Sequence, residues 1–490
     1  MGGFAYPTRR MKQLSALDAA FLGLENSTMT GNISSIMLLD PSGLDDEFDL
    51  AHITQFVAER LDRVIFFRKR LTEVPFGLDR SYWVDDDHFD LSYHVRESAL
   101  PRPGTVEQLM ELATRIHERP LDTSRPLWEL YLVTGLADGR VALITKTHHV
   151  VIDGVSGMEV LSALVDLEPL QLAGKPFKFV PEPAPSSVGL LARSAIGMLQ
   201  RPGDAWTVVT GLAKWTPAMF SLSALKPRNP LRQKDADPEI VTDSLPVRPP
   251  VTTFNGRISR RRRLGVIDLP LHDIKTVKNA FGTSVNDVVM AAMAGAVRRW
   301  LLQDGGVTGT PLVAMVPVAV RSADRSEQGN FVTAMLATLP THLEDPKDRL
   351  RRSSKFTKSA RKKGGAVPPT VLTSAMQFAP PVIFGRAARA MWETGIFRTI
   401  RPFNLIISNV PGGSRQAYVA GAELQAMYPL SVLADGIGLN ITLLGYRDLL
   451  HVGITTDPEL VPDPQQICEW AIEELALLVQ EAERPASQAD

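Results

Sequence analysis

The sequence predicts a mixed α/β (α+β) protein of two domains, on three observations. The chain has 490 residues, more than a single hydrophobic core ordinarily organises. Apolar residues make up 44%, ample material to bury. Segments of strand period and segments of helical period interleave in both halves.

In the first half, Ile33–Leu39 reads as a strand and Leu50–Leu61 as a helix. Leu127–Thr134 and Arg140–Thr147 read as paired strands, because Asp138-Gly139 between them is a strong hairpin signal. Ser156–Leu167 reads as the next helix. Two proline-rich stretches, Gly174–Ser187 and Pro227–Pro250, read as linkers or irregular crossings. Between them, Val188–Leu225 has helical apolar spacing on both sides of Pro202-Gly203. In the second half, Leu264–Leu269, Leu312–Val320, Asn404–Ser408, Gly436–Leu444 and Leu450–Thr455 read as strands. Val285–Leu302 and Pro464–Ala482 read as helices. The expected partition is an N-terminal domain over 1–175, a crossing segment over 176–250 and a C-terminal domain over 251–490.

Composition narrows the function. A formal net charge of −1 argues against a nucleic-acid partner, which calls for a basic excess. The single cysteine, Cys468, excludes a disulfide within the chain and a thiolate metal cage, and fits a reducing cytosol. Asp18 interrupts Leu14–Leu24, so no signal-peptide core follows the N-terminal basic residues. The longest uncharged run, Gly364–Gly385, holds Pro368, Pro369, Pro380 and Pro381, which would break a spanning helix. The expectation is a protein that is soluble or bound to a membrane surface.

One motif carries chemistry: His148-His149-Val150-Val151-Ile152-Asp153-Gly154, at the end of a predicted strand. Successive side chains on a strand alternate faces, so the two histidines are expected to point apart, one to a cleft and one to the core. Gly154 lets the chain bend, and Asp153 is placed near the start of the following helix. A histidine accepts a proton near neutral pH with little tuning, as a hydroxyl attacking a thioester requires. A carboxylate such as Asp153 can hold an imidazole or an arginine in place. No covalent nucleophile is needed, and Ser156 in Gly154-Val155-Ser156-Gly157 falls one residue short of a nucleophile elbow. Packed histidines and a metal site are the competing readings; the second lacks a further histidine at ligand spacing.

The motif resembles the active-site sequence of the wax ester synthase/acyl-CoA:diacylglycerol acyltransferase family, part of the condensation-domain and chloramphenicol-acetyltransferase-like superfamily. Further segments are similar in the same order: Leu14–Leu22, Pro126-Leu127-Trp128-Glu129, Ser284-Val285-Asn286-Asp287, Gly329-Asn330 with Leu339-Pro340, and Ser408-Asn409-Val410-Pro411-Gly412. The resemblance spans nearly the whole chain. It implies two similar subdomains with a substrate tunnel between them, His149 as general base, and Asp153 as a structural residue paired with an arginine. Arg321 is the first candidate for that arginine; Arg125 and Arg325 are the others. It also implies acyl-CoA as co-substrate, diacylglycerol or a long-chain alcohol as acceptor, and no metal or redox cofactor. The expected location is cytoplasmic, peripheral at the inner membrane or on lipid droplets.

The secondary motifs have plainer readings. Asp287 lies three residues after Ser284, the spacing of a helix capping box. Trp128 is expected as core, as large aromatics usually pack. Asn409-Val410-Pro411-Gly412 reads as a turn, with a shaping role implied by the resemblance. Val188–Leu225 is either an interfacial helix pair, with Trp206 and Trp215, or an ordinary crossing. Arg349–Lys363, with eight basic residues and no acid, is either a solvated face or a site for CoA phosphates or lipid headgroups. The rivals to free acyl-CoA chemistry are condensation with carrier-protein thioesters and a non-catalytic lipid-binding protein.

Overall fold

The computed structural model describes residues 11–154, 163–169, 179–199, 249–306, 309–320, 331–362 and 403–484. The first half runs β1 (Lys12–Gln13), α1 (Ala16–Leu24), β2 (Asn32–Asp40), α2 (Leu50–Ala58), β3 (Lys69–Thr72), β4 (Tyr82–Asp85), the one-turn α3 (Leu91–His94), β5 (Val95–Ala99), α4 (Val106–Glu118), β6 (Trp128–Thr134), β7 (Val141–His148), α5 (His149–Gly154) and α6 (Ser187–Leu199). The second runs β8 (Arg263–Pro270), α7 (Leu271–Phe281), α8 (Val285–Gln303), β9 (Leu312–Val320), β10 (Phe331–Leu339), α9 (Pro346–Lys362), β11 (Leu405–Val410), β12 (Tyr418–Val419), β13 (Ala422–Leu430), β14 (Leu439–Tyr446), β15 (Leu449–Thr456) and α10 (Pro464–Glu483).

Two six-stranded sheets form the frame, in the orders β12-β13-β2-β7-β6-β5 and β10-β9-β11-β14-β15-β8. In the first, alternation sends Met37, Leu39, Val141 and Leu143 to one face, where they meet Ile53, Phe56 and Val57 of α2. Ile36, Leu38, Ala142 and Ile144 face the other way, toward Leu109, Ala113 and Ile116 of α4. Both faces are covered, which is why Val141–Ile144 reads as a continuous apolar run. In the second sheet, Ile441, Leu443, Val452 and Ile454 pack with α8 and α10 in one large cluster. Capping boxes start α4 (Thr105 with Gln108) and α8 (Ser284 with Asp287).

The chain does not divide at one point as the partition at 250 expects. Residues 418–430 leave the second half, and β13 pairs antiparallel with β2, Tyr428 opposite Ile36. Without that crossing β2 would be an open edge beside β7, a template for unwanted pairing. The Tyr428 hydroxyl donates to Asp268 on β8 at 3.2 Å, tying the crossing strand back to the second sheet. Sequence patterning hides β13, because Pro429 inside it argues against an interior strand. Most of the helix expected over Ser156–Leu167 lies outside the described residues, which omit 155–162; the described residues 163–164 are helical, and α5 precedes them over His149–Gly154. Of the predicted crossing segment Val188–Leu225, α6 is the described part.

Candidate active site

The site forms where β7 ends. His148 is its last residue, opposite Asn32 of β2, and His149 opens α5. The two backbone amides keep the strand's alternation through the turn. The His148 N–H donates to Leu127 O at 3.0 Å, on the β6 side, and the His149 N–H donates to Gly31 O at 2.8 Å, on the β2 side. The side chains diverge accordingly: His148 is buried and His149 is partly exposed.

His148 is locked in place. Its Nδ1 accepts from the Val150 N–H at 3.2 Å, so a neutral ring carries its proton on Nε2. That nitrogen lies 2.9 Å from Oε1 of Glu25, the residue that caps the C-terminus of α1. The same carboxylate oxygen accepts from the Gly31 N–H. Gly31 has to be glycine here: a Cβ would stand 2.6 Å from His148 Nε2. Below the pair, on the same face of β7, Lys146 is buried with Nζ 3.6 Å from Glu129. Loss of hydration lowers its pKa to about 8, against the pull of Glu129.

His149 sits under α1. Its ring lies 5.2 Å from that of Phe21, tilted by 35°. Leu14, Val150 and Val151 form a small core with Ala19 and Leu22, which seats α1 on the turn. Loss of hydration lowers the pKa of His149 below the usual histidine value; the Asp18 carboxylate opposes that shift and His148 adds to it. The imidazole is therefore a neutral proton acceptor at physiological pH, with a carboxylate nearby to favour its protonated form.

Asn286 and Asn409, far apart in sequence, meet at 2.7 Å, the Asn409 amide donating to Asn286 Oδ1. They border a narrow apolar pocket of ≈ 40 Å³ between the second sheet, α8 and α9, lined also by Met290, Met335 and Phe356. Asp287, beside Asn286, is buried and accepts from the Ser284 N–H at 2.9 Å, the capping-box role. Pro411 and Gly412 lie exposed in the irregular segment after β11. Gly412 passes so close to β14 that a Cβ would overlap the Gly445 carbonyl oxygen. Trp128 is buried: it stacks between Phe67 and His94, and its Nε1–H donates to Phe67 O at 2.9 Å.

Asp153 and Gly154 fall in the last turn of α5, on the backbone only; their side chains, with Arg321, Arg325 and Gly329-Asn330, lie outside the described residues. Arg125 lies over the Tyr93 ring at 4.1 Å and beside Asp122. In α9 the basic run divides: Arg349 is buried on Glu474, while Arg351, Lys355 and Lys358 are exposed. Sequence reasoning gave no role to Glu25, Gly31, Asp18 or Phe21. Asp18 carried a signal, since Ser15-x-x-Asp18 has capping spacing; Glu25 and Gly31 reach His148 across more than a hundred residues and left none.

The wax ester synthase/diacylglycerol acyltransferase catalytic domain matches residues 14–289, and the C-terminal domain of the same family matches 328–479. A Mycobacterium tuberculosis protein carrying the name diacylglycerol O-acyltransferase is 35% identical over 454 residues, 92% of this chain and 87% of its own. A second from that organism is 35% identical over 455 residues, 93% of this chain and 96% of its own. Among solved structures, the wax ester synthase/diacylglycerol acyltransferase of Marinobacter aquaeolei superimposes with a TM-score of 0.70 at 27% identity, covering 96% of this chain and 100% of that one. The starter condensation domain of rhizomide synthetase shares the fold, at a TM-score of 0.52 and 13% identity over 98% and 97% of the two chains.

Proposed function

The chain belongs to the wax ester synthase/diacylglycerol acyltransferase family, and from that premise we propose that it moves a fatty acyl group from acyl-CoA to the hydroxyl of diacylglycerol, giving triacylglycerol, with long-chain alcohols as further acceptors giving wax esters. The observation that carries the mechanism is the division of labour at the end of β7. His148 is buried and held by Glu25 and the Val150 N–H, while His149 is partly open and kept neutral by its surroundings.

His149 takes the hydroxyl proton as the oxygen attacks the thioester carbon. A tetrahedral oxyanion forms, the carbon–sulfur bond breaks, and the imidazolium returns the proton to the departing CoA sulfur. Atoms and charge balance with two substrates and one imidazole, so the step calls for no metal or redox group. In the second half, Asn286 and Asn409 are bonded to each other at the border of the apolar pocket, and the same reading gives them a site-shaping part.

Attachment to a membrane or lipid-droplet surface belongs to the same reading. Phe76 is 85% exposed on the loop against which α6 packs, and Val188 (75%) and Ile196 (53%) are exposed on α6 beside Arg193. Apolar side chains flanked by a cation suit an anionic lipid interface. Diacylglycerol is favoured as acceptor on the likeness to the mycobacterial proteins, whose names carry that substrate.

The test gives purified protein labelled palmitoyl-CoA with dioleoylglycerol or hexadecanol, beside His149→Ala. Ester should form with both alcohols, faster with dioleoylglycerol, and fall about 10²–10⁴-fold in the variant. A folded His149→Ala protein with full turnover would remove the general-base assignment. Reaction only with acyl-carrier-protein thioesters would favour the condensation reading.

A further inference from the structure

The opening segment Leu14–Leu22 has no part in the steps above, yet from Ala16 it folds as α1 against the turn that carries His149. We propose that Asp18 is a positioning residue for His149. Carried on α1 one turn before Phe21, its carboxylate steadies the imidazolium that forms when the acceptor's proton is taken. The inference rests on the assignment of His149 as base.

Four observations support it. Asp18 and Phe21 are three residues apart on one helix and so share a face; Phe21 is the residue whose ring meets His149, at 5.2 Å. The carboxylate is 3% exposed, so water does little to screen it. It is held in one orientation by Ser15, whose hydroxyl donates to Asp18 Oδ2 at 2.6 Å and accepts from the Asp18 N–H at 3.1 Å. Finally, it stands in the first turn of α1, where negative charge is stabilised by the helix N-terminus.

The electrostatics have a definite sign. Among the described residues, the titratable groups that act on His149 are Asp18 from α1 and His148 from the end of β7; Glu25 from the end of α1 faces His148. Of these two, Asp18 is the one that raises the proton affinity of His149. A base that loses its hydration shell gains a proton more readily in the transition state when a negative charge replaces part of the lost solvation. Asp18 supplies that charge from a fixed position.

The experiment compares wild type, Asp18→Asn, Asp18→Glu and Ser15→Ala in the palmitoyl-CoA/dioleoylglycerol assay, with His149→Ala alongside. Asp18→Asn should lower kcat about 10- to 100-fold, the effect of removing an opposite charge near a titrating group, with KM for palmitoyl-CoA unchanged. The acid limb of its kcat/KM profile should move to lower pH, because an imidazole without its carboxylate holds a proton less tightly. Asp18→Glu should restore part of the rate. Ser15→Ala, which loosens the cap and keeps the charge, should leave the limb in place.

A folded Asp18→Asn protein with wild-type kcat and an unmoved limb overturns the proposal. So does an equal rate loss in Asp18→Asn and Ser15→Ala without any shift of the limb, which is the signature of a structural cap. If wild type makes no ester, or His149→Ala keeps its rate, the failure lies with the assignment of the base. The charge relation can then still be read from ¹³Cε1-histidine NMR titration, with His149 identified by its missing signal in His149→Ala. An unmoved His149 titration in Asp18→Asn would overturn it there as well.

Discussion

Gly31→Ala tests how tightly the two histidines are coupled through one small residue. The added Cβ would lie 2.6 Å from His148 Nε2, 2.8 Å from its Cε1 and 3.1 Å from Glu25 Oε1. The closest approach is about 0.8 Å inside the onset of ordinary van der Waals contact. His148 cannot swing aside cheaply, because it is 2% exposed, its Nδ1 accepts from Val150 and its N–H is bonded to Leu127. Overpacking of this kind costs about 1–3 kcal/mol. Relief by backbone movement carries the Gly31 carbonyl along, and that oxygen holds the His149 N–H at 2.8 Å. A reacting group displaced by about 1 Å loses roughly 10²-fold in rate. The expected outcome is therefore a loss of about 1–3 kcal/mol in denaturant unfolding together with a 10- to 100-fold lower kcat. A double-mutant cycle identifies the contact: with His148→Ala as background, Gly31→Ala should cost less than about 1 kcal/mol, giving a coupling within the ~0.5–3 kcal/mol range of touching residues. Additive costs, or a Gly31→Ala enzyme with wild-type kcat, would refute the reasoning.

The pH dependence of kcat/KM should place its acid limb below the ordinary histidine pKa of about 6.5, since burial lowers that of His149 and only the neutral imidazole accepts a proton; a limb above that value, in steady-state profiles, would contradict the placement. Asn409→Ala and Asn286→Ala should each reduce kcat/KM to the same degree, and the double variant no further, because the two amides act as one bonded pair. Unfolding of either should change by no more than about 0.5–1.5 kcal/mol. Trp128→Ala should cost about 3–5 kcal/mol of stability through lost stacking on Phe67 and His94, whereas Trp128→Phe should keep turnover in the ester assay. Phe76→Asp should weaken sedimentation with anionic phospholipid vesicles and leave turnover on a detergent-solubilised acceptor unchanged.

What was legible in the sequence is what local physics controls. The β6–β7 hairpin was visible because Asp138-Gly139 sets the turn and the flanking runs are uniformly apolar. The strand over Leu312–Val320 and the helix from Val285 came out within a residue or two, since buried runs and a Ser–x–x–Asp cap are both local signals. The divergence of His148 and His149 followed from strand alternation alone. α4 has a local signal too, in Leu109, Ala113 and Ile116 at helical spacing after a Thr105-x-x-Gln108 cap. β13 was different in kind: its place depends on an unpaired edge of β2 nearly four hundred residues earlier. The partners of His148 were equally out of reach, because Glu25 and Gly31 become its neighbours only once β2 has paired with β7. Family likeness named the motif residues; it did not say which contact each one makes.

The Asn409-Val410-Pro411-Gly412 segment shows why such a short motif needs those residue types together. Val410 is the last residue of β11, yet it packs with Leu444 and Tyr446 against the core of the first half. The residue before it points its amide at Asn286, on the first turn of α8. The residue two after it runs beside Gly445, where only a hydrogen in place of Cβ lets the two backbones pass. Tyr446 completes the joint from β14: its hydroxyl donates to Leu424 O at 2.9 Å and accepts from the Ala417 N–H at 3.0 Å, bracing the crossing that leads into β13. An apolar anchor, an amide and a glycine are thus used within four residues, each for a different neighbour. Replacing Val410 by a polar residue should loosen the seam between the halves, while replacing Asn409 should disturb the pocket border alone. The motif is better understood as the pin that fixes the second half against the first than as a set of catalytic groups, and the placement of Asn409 beside the pocket follows from that pin.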